Sequence, residues 1–165
     1  MPFEIERKFL VRGEAWRTSV TERYHIRQAY LASQGKASIR VRIRDNDGAA
    51  LTIKSRTPKR RRLELEYPIP VLEAEALIAL RQGSVIEKHR YIVPHLGNRW
   101  EVDVFAGENT GLVIAEIELR DEDERVVLPS WAGPEVTGQA PYYNGSLAVH
   151  PFTGWPHEER VALGK

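Results

Sequence analysis

The chain contains no cysteine, which excludes a disulfide framework and any metal centre built on thiolates. It has no apolar run near the roughly 20 residues that a transmembrane helix needs, and its opening residues lack the apolar stretch of a secretory signal. A soluble cytoplasmic protein is therefore expected. Net charge is nearly absent as well, because 24 Lys and Arg offset 23 Asp and Glu to leave a formal +1. Nucleic-acid binders carry a basic excess, so neither nucleic acid nor a membrane is an expected partner. The five histidines fall in no HExxH or comparable spacing, and neither a P-loop nor a GxSxG elbow occurs. No repeat, low-complexity tract or dividing linker appears. The 165 residues suit one domain, 1–165, since a domain takes roughly 100–200 residues.

Charged residues nevertheless make up 28% of the chain, and their arrangement carries the information. In PFEIERKFLV, Glu4, Glu6 and Lys8 alternate with the apolar Phe3, Ile5, Phe9 and Val11. Alternate residues of a strand share a face, so this segment has one charged and one apolar side. Seven more strands are expected at Tyr24 to Leu31, Ser38 to Arg44, Leu51 to Arg56, Arg62 to Ile69, Ile86 to Val93, Arg99 to Phe105 and Val113 to Leu119. Asp47 with Gly48 signals a turn, and Gly97 with Asn98 and Gly107 to Gly111 mark loops. The run from Lys59 to Arg62 reads as a solvated loop.

The spacing predicts a helix over Val71 to Arg81, with Leu72, Ala76 and Leu80 as its stripe and Gly83 as its end. A shorter helix over Glu14 to Val20 would bury Trp16. Further helix is expected after Asp121, where Val126, Val127, Leu128 and Trp131 are apolar, and a short one at Ser146 to Val149. Strands joined by short turns favour an antiparallel meander, and eight are enough to close. The expected class is α+β: an eight-stranded antiparallel β-barrel, a tunnel with a charged interior and helices packed outside.

The same-face residues continue as Ser38, Arg40 and Arg42; Thr52 and Lys54; Arg62, Glu64 and Glu66; Lys88 and Arg90; Glu101 and Asp103; Glu116 and Glu118. Their opposite faces carry residues such as Ile39, Val41 and Ile43, or Trp100, Val102 and Val104. One such strand would suit an open sheet with a solvated side and cross-strand ion pairs. Seven, with acids and bases segregated by strand, favour a shared interior instead. A polyanion together with its metal ions would answer both walls: carboxylate oxygens suit Mg²⁺ or Mn²⁺, and Arg and Lys suit phosphate oxygens.

The ordered set resembles the CYTH superfamily, the triphosphate tunnel metalloenzymes. Glu4, Glu6 and Lys8 look like its ExExK signature. Arg40 and Arg42 in SIRVRIR, Lys54 in LTIK, Glu64 and Glu66, Lys88 and Arg90 in EKHRY, Asp103 in WEVDVF, and Glu116 and Glu118 in AEIEL follow in its order. IRQAYL, with Gln28 and Tyr30, is similar to its second strand. The likeness runs to about Leu147 and implies an eight-stranded tunnel that binds a triphosphate and a divalent metal. The short bacterial members it resembles imply hydrolysis of tripolyphosphate to pyrophosphate and phosphate. An organic triphosphate enzyme (thiamine triphosphatase, nucleoside triphosphatase or class IV adenylate cyclase) and a non-catalytic polyphosphate or nucleotide sensor are the alternatives.

On this reading Lys8, Arg40, Arg42, Lys54, Lys88 and Arg90 bind substrate. Glu4, Glu6, Asp103, Glu116 and Glu118 hold one or two Mg²⁺ or Mn²⁺ ions, with Glu64 and Glu66 completing the acidic wall. Lys88, Glu4 and Glu6 are the catalytic candidates, because cationic neighbours disfavour the charged form of Lys88 and fit it as a base toward water. His89 points away from Lys88 and Arg90 and reads as structural. Near the end, in TGQAPYYNGSLA, Gln139 and Pro141 stand where relatives often carry an acid and a base. The tail is therefore not expected to contact substrate, and Tyr143 and Asn144 read equally as packing and capping residues. Tyr24, Tyr30, Phe152 and Trp155 are aromatic candidates for a base pocket, though such residues are more often core or cap. The outer barrel face offers a surface for a homodimer.

Overall fold

Seven segments with one charged and one apolar face share an interior and an exterior when their strands close into a barrel. The computed structural model describes residues 3–57 and 60–162, so Lys59 of the charged run lies outside the described residues. Its strands are β1 (Phe3–Val11), β2 (Glu22–Ala32), β3 (Ala37–Arg44), β4 (Gly48–Ser55), β5 (Arg61–Ile69), β6 (Gln82–His95), β7 (Asn98–Phe105) and β8 (Val113–Glu118). They pair in the order β5-β4-β3-β2-β6-β7-β8-β1, and β1 closes the ring on β5. Every pairing is antiparallel. Residues 3–5 of β1 meet β5 and residues 6–10 meet β8, so the first strand is the closing seam. All eight expected strands are present, and the charged faces point inward.

The outward faces are apolar and covered in two places. Helix α1 (Val71–Ile78) lies over β2, β3 and β4, burying Ala74 and Ile78 against Ala29, Val41 and Ile43. Over β1, β6, β7 and β8, Trp16 and Trp131 cover Phe9, Trp100 and Ile117, with Trp131 edge-on to Trp100 at 5.5 Å. Trp16 sits in a 3₁₀ turn, Ala15–Ser19, where a short helix was expected.

Three expectations change. The buried stripe of α1 is Ala74 and Ile78, flanked by Val71 and Leu77, whereas Leu72 and Leu80 are 85% and 71% exposed. Two apolar stripes share this helix, and the approach from β5 through Pro70 sets which one meets the barrel. The turn after β3 is made by Asp45 and Asn46, both at positive φ, while Gly48 already belongs to β4. Short polar side chains tolerate that conformation. No helix forms between Arg120 and Trp131. There the Asp121 carboxylate accepts from the Asp123 amide, an alternative to helical pairing, and a ninth strand, β9 (Ala132–Glu135), then runs antiparallel along the end of β1.

One end of the barrel interior is not charged. Leu10, Ile86, Phe105 and Ile114 continue the inward faces of their strands, and Leu147 and Ala148 of helix α2 (Asn144–Val149) and Phe152 pack on them. Helix α3 (His157–Ala162) ends the described chain. No helix among the described residues is long and apolar enough to cross a membrane.

Candidate active site

The interior encloses a cavity of about 430 Å³. Among its described lining residues are Lys8 from β1, Arg40 and Arg42 from β3, Lys54 from β4, Arg62 from β5, and Lys88 and Arg90 from β6. Arg56 adds an eighth cation, against two carboxylates, Glu6 and Glu116. Register produces this convergence. Lys8 stands opposite Glu116, Glu6 opposite Glu118, Arg62 opposite Glu4, Lys54 opposite Glu64 and Arg90 opposite Asp103.

The acids on the walls are tightly held. Asp103 is 1% exposed and its two oxygens accept from Arg90 Nε and Nη2 at 2.8 and 2.9 Å, with Lys88 Nζ 2.7 Å away. Burial opposes ionisation of Asp103, but Arg90 and Lys88 outweigh it and hold the acid down at about 2. Burial likewise opposes Glu116, and Lys8 (3.4 Å), Arg90 and Lys88 hold it well below the carboxylate range. Lys54 Nζ lies 2.6 Å from Glu4, and Arg62 contacts both Glu6 and Glu4, the latter at 3.3 Å.

The cations are less well matched. Arg40 Nη2 donates to Thr52 Oγ1 at 3.2 Å and Arg42 Nε to Gln28 Oε1 at 2.9 Å, neither of them an anion. Burial, then Arg40 and Arg90, pull Arg42 down to about 9. Burial, opposed by Asp103 and aided by Arg90 and Arg42, brings Lys88 down to about 7. The Nε atoms of Arg40 and Arg62 are buried without a hydrogen-bond partner. A buried guanidinium donor left unpaired is costly, and a cavity lined by two guanidinium groups with such donors, among other cations, is complementary to an anion with several oxygens.

The acids proposed from the sequence as metal ligands separate into three groups. Glu4, Glu6, Glu116 and Glu118 come together around the closing seam. Burial first, then mutual repulsion from Glu116 and Glu4, raises Glu6; burial, then Glu4, Glu101 and Glu6, raises Glu118. Glu64 is half-buried beside Glu4, which burial and then Glu64 raise, whereas Glu66 is exposed and accepts from Thr52 at 3.1 Å. Asp103 stands apart, committed to Arg90 and Lys88. Among the described residues no three acid or histidine groups stand at ligating distance from a common point.

Several residues reach the site that alternation left out or left open. Arg62 shares the inward face with Glu64, so its position was legible although its role was not. Gln28 is fully buried, and its Nε2 donates to Asn144 Oδ1 at 3.0 Å. Asn144 Oδ1 also accepts from Lys88 Nζ at 3.0 Å. The Tyr143 ring lies 4.8 Å from Lys8 Nζ and 5.3 Å from Arg62 Cζ, both cation–π distances. Tyr143 and Asn144 therefore line the cavity, and the tail enters the site despite Gln139 and Pro141. No local periodicity announces this, because the segment is delivered by its long-range attachment to β1: Thr137 Oγ1 accepts from the Lys8 amide at 2.8 Å, and Glu135 receives two hydrogen bonds from Arg7. Of the other aromatics, Tyr30 lines the cavity, Phe152 is core, Trp155 packs on Phe152 and Tyr142, and Tyr24 lies under Arg44. His89 is on the outer face with its ring 5.1 Å from that of His25.

Comparison with known proteins follows the same outline. The CYTH domain family model matches residues 2–147. An inorganic triphosphatase of Acetivibrio thermocellus is 47% identical over 150 residues, covering 90% of this chain and 95% of the relative. One of Nitrosomonas europaea is 36% identical over 150 residues, covering 88% and 97%. A crystal structure of an inorganic triphosphatase superposes with a TM-score of 0.64 at 34% identity, covering 88% of this chain and 94% of the other. A Pyrococcus horikoshii protein at 19% identity, TM-score 0.59, covering 73% and 80%, shares the fold.

Proposed function

Because the chain belongs to the CYTH domain family, we propose that it hydrolyses inorganic tripolyphosphate to pyrophosphate and phosphate inside the barrel, with Mg²⁺ or Mn²⁺ as its cofactor. The observation that carries this reading is the cavity's mostly cationic charged lining, in which Arg40 and Arg62 each keep a buried Nε without a hydrogen-bond partner. The relatives named inorganic triphosphatases support the substrate.

The acidic seam offers the donor chemistry a divalent cation takes, although its carboxylates do not converge on one point in this structure. Glu4, Glu6, Glu116 and Glu118 are hard oxygen donors, burial and then repulsion from neighbouring carboxylates raise Glu6 and Glu118, and Glu4 Oε1 lacks a well-formed hydrogen bond despite its nearby cations. These four would hold the metal, with Glu64 beside them and Glu66 at the edge. When bound, such an ion neutralises charge on phosphoryl oxygens and makes a coordinated water more acidic. Asp103 is better suited to orienting Arg90 and Lys88 than to ligation, since both its oxygens are occupied.

The remaining steps belong to the chain's own groups. Lys8, Arg40, Arg42, Lys54 and Arg90 hold the phosphate chain and stabilise its spreading charge in a site screened from bulk water. Water attacks a terminal phosphorus, its oxygen joins that phosphorus, the anhydride bond breaks and pyrophosphate leaves. Lys88, with its ammonium brought to about 7, takes the proton from water. Apolar packing of α2 on Leu10, Ile86 and Ile114 excludes water from the closed end. A homodimer is the proposed oligomer, to be checked by sedimentation.

The test is phosphate release from tripolyphosphate, ATP, thiamine triphosphate and pyrophosphate in parallel, with Mg²⁺, Mn²⁺ or EDTA. Release from tripolyphosphate that EDTA abolishes is expected. Preference for an organic triphosphate would replace the substrate, and tight binding without turnover would make the protein a sensor.

A further inference from the structure

Arg62 lies outside the phosphate-binding set suggested by the sequence, yet it is the cation most involved with the acidic seam. It sits on β5 opposite Glu4 and is 9% exposed. One terminal nitrogen, Nη2, serves two carboxylates: it contacts Glu6 and lies 3.3 Å from Glu4. The Nε atom is buried and unpartnered. Lys54 also neutralises Glu4, but it is a single compact charge on that carboxylate, whereas Arg62 bridges both.

We propose that Arg62 is the internal counter-ion of Glu4 and Glu6 and exchanges partners during the reaction cycle, holding the two acids in the empty protein and turning to the phosphate chain when the divalent cation and substrate arrive. This rests on the reading above that Glu4 and Glu6 hold the cation. Two neighbouring carboxylates this far withdrawn from water do not both stay ionised without cations beside them. The guanidinium supplies one charge there. A divalent ion competes for the Oε1 atoms of Glu4 and Glu6 that Nη2 contacts, and its arrival at them releases Nη2.

A released guanidinium in a buried setting needs another anion, because an uncompensated buried charge is strongly destabilising. The triphosphate supplies it, and Arg62 already lines the cavity, its buried Nε without a hydrogen-bond partner. The Tyr143 ring, 5.3 Å from Cζ, offers a face along which the planar group can remain stacked while it changes partner. Metal frees Arg62 for phosphate, and phosphate draws Arg62 from the carboxylates. Each ligand therefore tightens the other, and the coupling is reciprocal.

The experiment measures Mn²⁺ binding by electron paramagnetic resonance without substrate, and tripolyphosphate binding by calorimetry in EDTA. It uses the wild type, Arg62→Met, Arg62→Lys and Glu118→Gln, each shown to be folded by circular dichroism. Arg62→Met is expected to bind Mn²⁺ about tenfold more tightly and tripolyphosphate about tenfold more weakly, within the usual range of couplings between sites. Arg62→Lys keeps the charge and should stay near the wild type for Mn²⁺, which separates loss of the counter-ion from loss of local packing. Glu118→Gln, which does not touch Arg62, should weaken Mn²⁺ binding. If it does so while Arg62→Met binds Mn²⁺ no more tightly than the wild type, the counter-ion role is wrong and the metal assignment stands. If Glu118→Gln leaves Mn²⁺ binding unchanged, the metal assignment fails and the counter-ion role falls with it.

Discussion

Lys88 shows how one side chain can take its chemistry from its surroundings. It is 1% exposed, 2.7 Å from Asp103 and 3.0 Å from Asn144. Burial, with Arg90 and Arg42, wins over Asp103 and brings its ammonium down to about 7. The neutral amine is thus available where a base must work. For the wild type, kcat/KM is expected to rise through about pH 7; Lys88→Met should lose that limb and roughly 10²–10⁴ in rate. A pH–rate profile decides it, since activity falling above pH 7 would make Lys88 a phosphate-holding cation instead. Stability carries the same signature with a definite sign. An unfolded lysine titrates near 10.4, so between about pH 7 and 10 the unfolded chain binds more protons than the folded one. Stability attributable to Lys88 must therefore increase with pH across that window and be absent in Lys88→Met. Urea melts in EDTA at pH 7 and pH 9 measure the difference.

At the scale of elements, the strands were legible because side-chain direction has a period of exactly two residues and each inward charge has an apolar neighbour to contrast with it. Helix α1 was legible as a helix but not in phase, because Val71, Ala74 and Ile78 compete with Leu72, Ala76 and Leu80 and both sets are apolar. The structure predicts opposite outcomes at adjacent faces. Leu72→Gln should change stability by no more than about 0.5 kcal/mol, whereas Ala74→Leu, at a position with no exposure, should cost about 1–3 kcal/mol by overpacking; paired denaturation curves distinguish them. Gly83, which the sequence pattern offers as the end of that helix, does not cap it. It lies instead in β6 with φ of 71°, and a Cβ there would stand 2.5 Å from the Ala148 carbonyl oxygen. Gly83→Ala should push α2 outward and carry Asn144 away from Lys88 and Gln28. The expected result is a lower melting temperature together with a raised KM for tripolyphosphate, read by a thermal melt and by steady-state kinetics. The contribution of Tyr143 and Asn144 was illegible for the complementary reason: their place depends on Glu135 and Thr137 anchoring to β1 more than a hundred residues away in sequence.

The whole molecule reverses the usual arrangement of a soluble protein, with apolar residues outside the barrel wall, covered by α1, Trp16 and Trp131, and ionisable residues within. Such an interior is stable only if its charges are neutralised, and the pairs seen here do this unequally. The acids Asp103 and Glu116 are held well down by cations, while Arg40 and Arg42 have, among the described residues, only Thr52 and Gln28 as side-chain partners, Arg42 is pulled down by burial and its cationic neighbours, and the Nε atoms of Arg40 and Arg62 are unpaired. The empty fold therefore carries an excess of unmet positive charge toward the cavity. An anion that binds the folded chain and not the unfolded one stabilises it by about 2.7 kcal/mol at a hundred times its dissociation constant. At roughly 2–4 °C per kcal/mol for a chain of this size, tripolyphosphate in EDTA, where turnover does not interfere, should raise Tm by about 5–11 °C. Sodium chloride at matched ionic strength should raise it far less, because screening weakens the acid–base pairs as much as it relieves the cations. Replacing Arg40 and Arg42 with Met should remove the tripolyphosphate-specific shift. A shift that survives both replacements would place the anion somewhere other than the barrel interior.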